Sequence, residues 1–87
     1  MAAYSVLLKK SAAREIEALP TKQDRQRVIS RIQALAADPR PHGSEKLDGS
    51  SGHYRVRQGN FRIVYSIHDQ ELIVEVVRVG HRRQVYR

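Results

Sequence analysis

The sequence predicts an α+β fold in which a helical hairpin covers one face of a small, twisted antiparallel sheet. The first half of the chain places apolar residues at helical spacing, and the second half alternates with a period of two. A segment rich in proline and glycine separates the two halves. Because 87 residues cannot enclose two separate cores, we expect residues 1–87 to form a single domain.

The N-terminal segment predicts a strand followed by a helix. Residues 4–8 (YSVLL) are short, apolar and partly β-branched, which suits a buried strand. Ser11 is expected to cap the first helix and Pro20 to close it. The core positions of this helix recur at i, i+4 and i+7, and they are Ala12, Ile16 and Leu19.

A second helix is predicted from Thr21, because Asp24 follows it in a weakened form of the capping box. Its apolar stripe consists of Val28, Ile29, Ile32, Leu35 and Ala36. Asp38 precedes a proline, which biases it out of helical geometry. Residues 39–52 hold two of the three prolines and three of the five glycines, so we expect a loop there.

From residue 53 onward the pattern predicts three consecutive antiparallel strands. HYRVRQ (53–58) and FRIVYSI (61–67) alternate on either side of a short turn and form a hairpin. After a second turn at 68–70, ELIVEVVRV (71–79) is the most β-branched segment and predicts a central or well-covered strand. The expected order is therefore a strand, two helices and a three-strand meander.

The charge distribution indicates a protein that binds polyanions. The net charge is +7, which makes nucleic acid the first partner to consider. From residue 53 to the end the bases are seven Arg and no Lys, and the guanidinium fork matches phosphate oxygens. Arg55 and Arg57 share one strand face, and Arg62 follows just after the hairpin turn, so the three can converge. The alternative is that Arg55 and Arg57 are ordinary solvent-facing positions of a half-buried sheet.

Composition also excludes several classes of protein. The chain has no Cys, which rules out disulfides, zinc sites of the Cys type and a thiol nucleophile. No apolar run approaches the roughly 20 residues that span a bilayer, and residues 1–10 lack signal-peptide features, so we expect a cytoplasmic protein without membrane contact. His42, His53 and His68 match no metal-binding spacing, so we expect neither a metal nor another cofactor.

Two segments resemble the RelE branch of the RelE/ParE superfamily of bacterial toxin–antitoxin toxins. They are YRVRQGNFRIVY (54–65) and VRVGHRRQVYR (77–87), and the order of elements extends the resemblance over essentially the whole chain. The resemblance implies a RelE/ParE-like fold and a ribosome-dependent, metal-independent endoribonuclease that cuts mRNA in the ribosomal A site. It also implies a cognate antitoxin that wraps the toxin, contact with 16S rRNA, and an operator DNA that is bound only through the antitoxin.

The resemblance further implies roles for individual residues of the two motifs. Arg62 would stabilise charge on the scissile phosphate, Arg82 would act similarly near the leaving group, and Tyr86 would stack on or activate the substrate. Arg55 and Arg57 replace two Lys of the best-known member, and arginine holds phosphate but is a poor general base. The residues expected to bind RNA are Arg55, Arg57, Arg78 and Arg83.

The identity of the general base remains open between two residues. Cleavage without a metal requires a base for the 2′-hydroxyl, donors for the phosphorane and an acid for the leaving oxygen. His81 is the only imidazole beside the arginine-rich tail, and its reference pKa of about 6.5 suits proton transfer. A cluster of Arg could instead favour the phenolate of Tyr86.

Two other classes of function remain as alternatives. A ParE-like toxin would share the fold but bind and inhibit DNA gyrase, and such toxins generally do not retain Arg62, Arg82 and Tyr86 together. A non-catalytic RNA-binding or ribosome-binding module would rely on the basic charge alone. Steep salt dependence without cut products would identify that module.

Overall fold

The computed structural model of the chain describes residues 3–47 and 52–81. Within these residues the elements are β1 (Ser5–Leu8), α1 (Lys10–Glu17), α2 (Lys22–Ala34), β2 (Glu45–Lys46), β3 (His53–Gln58), β4 (Phe61–His68) and β5 (Ile73–His81). The predicted α+β class and the order of strand, helical pair and meander are confirmed. Neither of the two helices is long and apolar enough to cross a membrane.

The strands form one sheet in the order β1-β5-β4-β3-β2. β1 runs parallel to β5, and the other neighbours are antiparallel, so the meander β3–β4–β5 occupies the middle of the sheet. β2 corrects the predicted loop, because Glu45 and Lys46 pair with Arg55 and Tyr54 of β3. A strand of two residues carries no periodicity, and it exists here because β3 offers it an edge.

The predicted cap of α2 is confirmed, and the predicted cap of α1 is wrong. Thr21 caps α2 as predicted, since its Oγ1 accepts a hydrogen bond from the Asp24 backbone N–H at 3.0 Å. The predicted Ser11 cap is wrong, because α1 begins at Lys10 after Lys9, without a side-chain cap. The Lys9 backbone N–H donates to the Val76 carbonyl at 2.9 Å, so pairing with β5 continues until the chain turns directly into the helix.

The core lies between the helices and one face of the sheet. Its buried side chains are Ala12, Ile16 and Leu19 around α1, Val28, Ile32 and Leu35 around α2, and Val56, Ile63, Tyr65, Ile67, Val74, Val76 and Val79 on the strands. Ile29 was predicted in the buried stripe, but it is 41% exposed. It follows Val28 by one residue, a rotation of about 100°, and α2 buries only a narrow face.

Candidate phosphate-binding cavity

The arginines of β3 and β4 converge on the face of the sheet opposite to the core. The register pairs Arg57 with Arg62 directly, while their neighbours Val56 and Ile63 point into the core. Arg55, Arg57 and Arg62 line a cavity of about 270 Å³, and its other lining residues are Arg31, Gly43 and Glu45. The predicted convergence of the three strand arginines is therefore confirmed as geometry.

The degree of burial separates these arginines from ordinary surface positions. Arg62 is only 3% exposed, and the Arg55 side chain is 13% exposed. Arg57 is exposed, so the solvent-facing alternative describes Arg57 but not Arg55. Guanidinium groups held in a partly desolvated cavity attract an anion more strongly than groups in open water. Because Arg57 and Arg62 also repel each other across the strands, a bound phosphate would relieve that repulsion.

Two charged lining residues were missed at the level of sequence. Arg31 lies at i+3 from the buried Val28, so it borders the apolar stripe of α2, and a charge beside an apolar stripe is a signal that could have been used. Glu45 lies in the segment predicted as a loop, and only its pairing with Arg55 reveals its position. Its Oε2 accepts a hydrogen bond from Arg55 Nη2 at 2.7 Å.

The structure does not bring His81 into the arginine cavity. Phe61 pairs with His81 and Arg62 pairs with Gly80, so His81 lies on the helix side of the sheet. Its ring contacts the Phe61 ring edge-on, with centroids 6.2 Å apart. Simple alternation along β5 would place His81 on the other face, with Arg62.

A register shift explains this difference. The shift lies at Val64/Tyr65, where the partner changes from Arg78 to Val76 and Val77 is left over. One extra residue reverses the faces of everything that follows in β5, and Val79 consequently joins the core. Arg78 lies on the arginine face, paired with Val64, but it does not line the cavity.

The remaining predicted site residues, Arg82, Arg83 and Tyr86, lie outside the described residues. Among residues 3–47 and 52–81, no three His, Asp or Glu side chains form a group that could hold a metal ion. The lining of the cavity offers charge stabilisation by guanidinium groups, next to the carboxylate of Glu45.

A polar cluster fixes the segment that delivers Gly43 and Glu45 to the cavity. Arg40 donates from both terminal nitrogens to the Asp69 carboxylate, at 3.2 and 2.8 Å, and from Nε to the Tyr54 hydroxyl at 3.2 Å. Tyr4 also donates to Asp69, at 2.6 Å. The buried Tyr65 hydroxyl donates to the Pro39 carbonyl at 2.7 Å, and burial raises the pKa of Tyr65 to about 12. Residues 39 and 40 are thus tied to β3, to β4 and to the end of β4.

We expect replacement of Asp69 by Asn to lower the melting temperature at neutral pH but not at pH 2. The hydrogen bonds from Arg40 and Tyr4 lower the pKa of Asp69 to about 2, from an ordinary value of 3.8. The folded protein keeps this carboxylate ionised where the unfolded chain protonates it, so its contribution is complete above about pH 4 and is lost as the pH falls toward 2. Thermal melts of both proteins between pH 2 and 7 measure this. A melting difference that persists unchanged at pH 2 would contradict the assignment.

Comparison with known proteins defines the class. The family model described as "ParE toxin of type II toxin-antitoxin system, parDE" matches residues 6–86. The chain therefore belongs to the RelE/ParE superfamily of type II toxin–antitoxin toxins.

Within that superfamily the similarity is to RelE toxins. Toxin RelE of Mycobacterium tuberculosis is 30% identical over 84 residues, which cover 97% of this chain and 87% of the relative. Toxin RelG of the same organism is 29% identical over 84 residues, covering 97% of both chains. The crystal structure of the RelBE2 toxin–antitoxin complex of M. tuberculosis superposes with a TM-score of 0.80 at 26% identity, covering 91% of this chain and 98% of that one. The resemblance found in the two sequence motifs is confirmed.

Proposed function

We propose that the protein is a ribosome-dependent, metal-independent endoribonuclease that cleaves mRNA in the ribosomal A site. The observation that carries this proposal is the cavity lined by Arg31 of α2 together with Arg55, Arg57 and Arg62 of the strands. Such a cavity suits the crowded, negatively charged phosphorane that forms when a 2′-hydroxyl attacks the neighbouring phosphate. The similarity to RelE toxins supports the same conclusion.

The proposed roles follow from burial and position. Arg62 and Arg55 are the buried donors, so they hold the non-bridging oxygens of the scissile phosphate in a partly water-excluded site. The exposed Arg57 contacts the backbone phosphate of the message, and Arg78 extends that basic face along the sheet. The ribosome would hold the attacking and leaving oxygens in line, which lowers the entropic part of the barrier.

The general base and the leaving-group donor complete the proposal. Since His81 lies on the helix side of the sheet, Tyr86 becomes the preferred candidate for the base. Neighbouring guanidinium groups would favour its phenolate. Arg82 would neutralise the leaving oxygen, and Arg83 would bind the RNA backbone.

The proposed partners are a cognate antitoxin, the ribosome with its 16S rRNA, and mRNA. The antitoxin is proposed because similar solved structures are toxin–antitoxin complexes. Contact with operator DNA would occur through the antitoxin, and the site of action would be the cytoplasm. Neither a metal nor another cofactor is needed for the proposed reaction.

The name of the matching family model favours a second candidate, inhibition of DNA gyrase in the manner of ParE toxins. The two candidate functions differ in whether they require the arginine cavity. A gyrase inhibitor works through a protein surface, whereas cleavage requires the buried guanidinium of Arg62. Supercoiling by purified gyrase with the toxin added would show inhibition only under the second candidate.

Primer-extension mapping of a message on translating ribosomes tests the first candidate directly. Purified wild-type protein should give discrete cuts at A-site codons. Because chelators dismantle ribosomes, metal independence is tested separately on naked RNA at high protein concentration, with EDTA. A folded, antitoxin-free protein that gives no cuts would refute the nuclease and direct the work to gyrase.

A further inference from the structure

The arginine cavity contains an acidic side chain whose position is defined by strand pairing. Glu45 of β2 faces Arg55 of β3 in the register, so the two side chains project on the same face. Their contact is an ion pair of 2.7 Å between Glu45 Oε2 and Arg55 Nη2. Glu45 is the one carboxylate among the lining residues that the structure describes.

The two members of this ion pair differ sharply in exposure. The Arg55 side chain is 13% exposed, whereas that of Glu45 is 65% exposed. Arg55 is therefore held in place, and Glu45 can swing into solvent at small cost. A carboxylate and a phosphate make the same kind of charge-assisted hydrogen bond with a guanidinium group. An incoming phosphate that uses Arg55 must compete with Glu45 for the same donor.

We propose that Glu45 is an internal competitor for the anion that this cavity binds. In the free protein its carboxylate is paired with Arg55, and a phosphate binds by displacing it. The proposal rests on the proposed function, since it takes the RNA backbone as the natural anion. Two negative groups cannot share the cavity without repulsion, so Glu45 weakens the binding of every anion that reaches Arg55.

This competition favours a phosphate that is presented as part of a chain. A free phosphate makes contacts only within the cavity. These contacts by themselves must offset the free-energy cost of displacing Glu45. An RNA backbone also contacts Arg78, which lies outside the cavity, and this further contact acts at high effective concentration. Glu45 thus makes the cavity discriminate against free phosphate and mononucleotides.

The competitor also has a role in the free protein. Arg55, Arg57 and Arg62 line one small cavity, and Glu45 is the described carboxylate that compensates their charge there. Removal of its charge should therefore lower the melting temperature of the free protein. Phosphate should then restore that temperature, and by more than it stabilises the wild type, because a ligand of higher affinity stabilises the folded state more.

The test compares Glu45→Gln with the wild type and with Glu17→Gln, which removes the same charge from an exposed position of α1. The probes are inorganic phosphate and an all-deoxy oligonucleotide that cannot be cleaved, both titrated at constant ionic strength. We expect Glu45→Gln to bind phosphate about five- to tenfold more tightly, given the size of ion-pair energies in partly exposed sites. Glu17→Gln should stay within about twofold of the wild type, because screening weakens a distant surface charge.

The outcomes separate this inference from the proposed function. Unchanged phosphate affinity in Glu45→Gln would overturn the inference, and so would weaker affinity, which would mean that Glu45 orients Arg55 for binding. Glu45→Asp keeps the negative charge on a shorter side chain, so its affinity for phosphate should lie between those of the wild type and Glu45→Gln. This variant tests the inference if Glu45→Gln does not fold. A wild type that cuts no message, together with tighter phosphate binding by Glu45→Gln, would refute the nuclease and retain the competitor.

Discussion

Replacement of Arg62 by Ala should reduce mRNA cleavage by about one to three orders of magnitude. Arg62 is 3% exposed and lines the cavity. Its partners on the two neighbouring strands are Arg57 of β3 and Gly80 of β5, which has no side chain. A guanidinium in such a site is already oriented before the phosphorane forms, so it stabilises the transition state without further reorganisation. Primer extension on translating ribosomes, at equal concentrations of folded protein, measures the loss.

Two further variants show whether charge or geometry matters at this position. Arg62→Lys should recover only part of the activity, because an ammonium group cannot form the paired hydrogen bonds of the guanidinium fork. Arg14→Ala removes one positive charge from the exposed face of α1 and should stay within about twofold of the wild type. Full activity of a folded Arg62→Ala protein would remove Arg62 from the reaction.

The fold was predictable where local pattern and tertiary context agree. The spacing of Ala12, Ile16 and Leu19 identified the buried face of α1, and Thr21 with Asp24 identified the start of α2. Prediction failed where tertiary pairing overrides local preference. Lys9, not Ser11, precedes the first residue of α1 because β1 stays bonded to β5, and β2 forms because β3 has an edge to pair with.

The site was predictable only in part, for reasons of the same kind. Strand alternation was sufficient to place Arg55, Arg57 and Arg62 on one face. It was misleading for His81, because the register shift in β5 reverses the face on which that residue lies. Arg31 and Glu45 come from two other elements, α2 and β2, and no spacing rule links them to the strand arginines.

Replacement of Ile63 by Ala should destabilise the protein by about 2–4 kcal/mol. Ile63 is fully buried on β4, between Arg62 and Val64, and it pairs with Val56 on the core side of the sheet. Removal of its side chain leaves a cavity under the strand that carries Arg62, so the loss combines transfer free energy with unfilled volume. Urea denaturation, with comparison of midpoints at constant slope, measures the change.

Ile29 provides a matched control for this prediction, because it is the same residue type at a position that is 41% exposed. Ile29→Ala should change stability by less than about 0.5–1 kcal/mol, since little apolar surface is lost and alanine favours the helix. Ile63→Val should fall between the two, at a cost of about 0.5–1.5 kcal/mol. Equal destabilisation by Ile63→Ala and Ile29→Ala would mean that the core is not arranged as described. The packing that stabilises the sheet also positions Arg62 at its cavity. If the predicted order of stabilities is found, cleavage by folded Ile63→Ala should decline less than cleavage by Arg62→Ala.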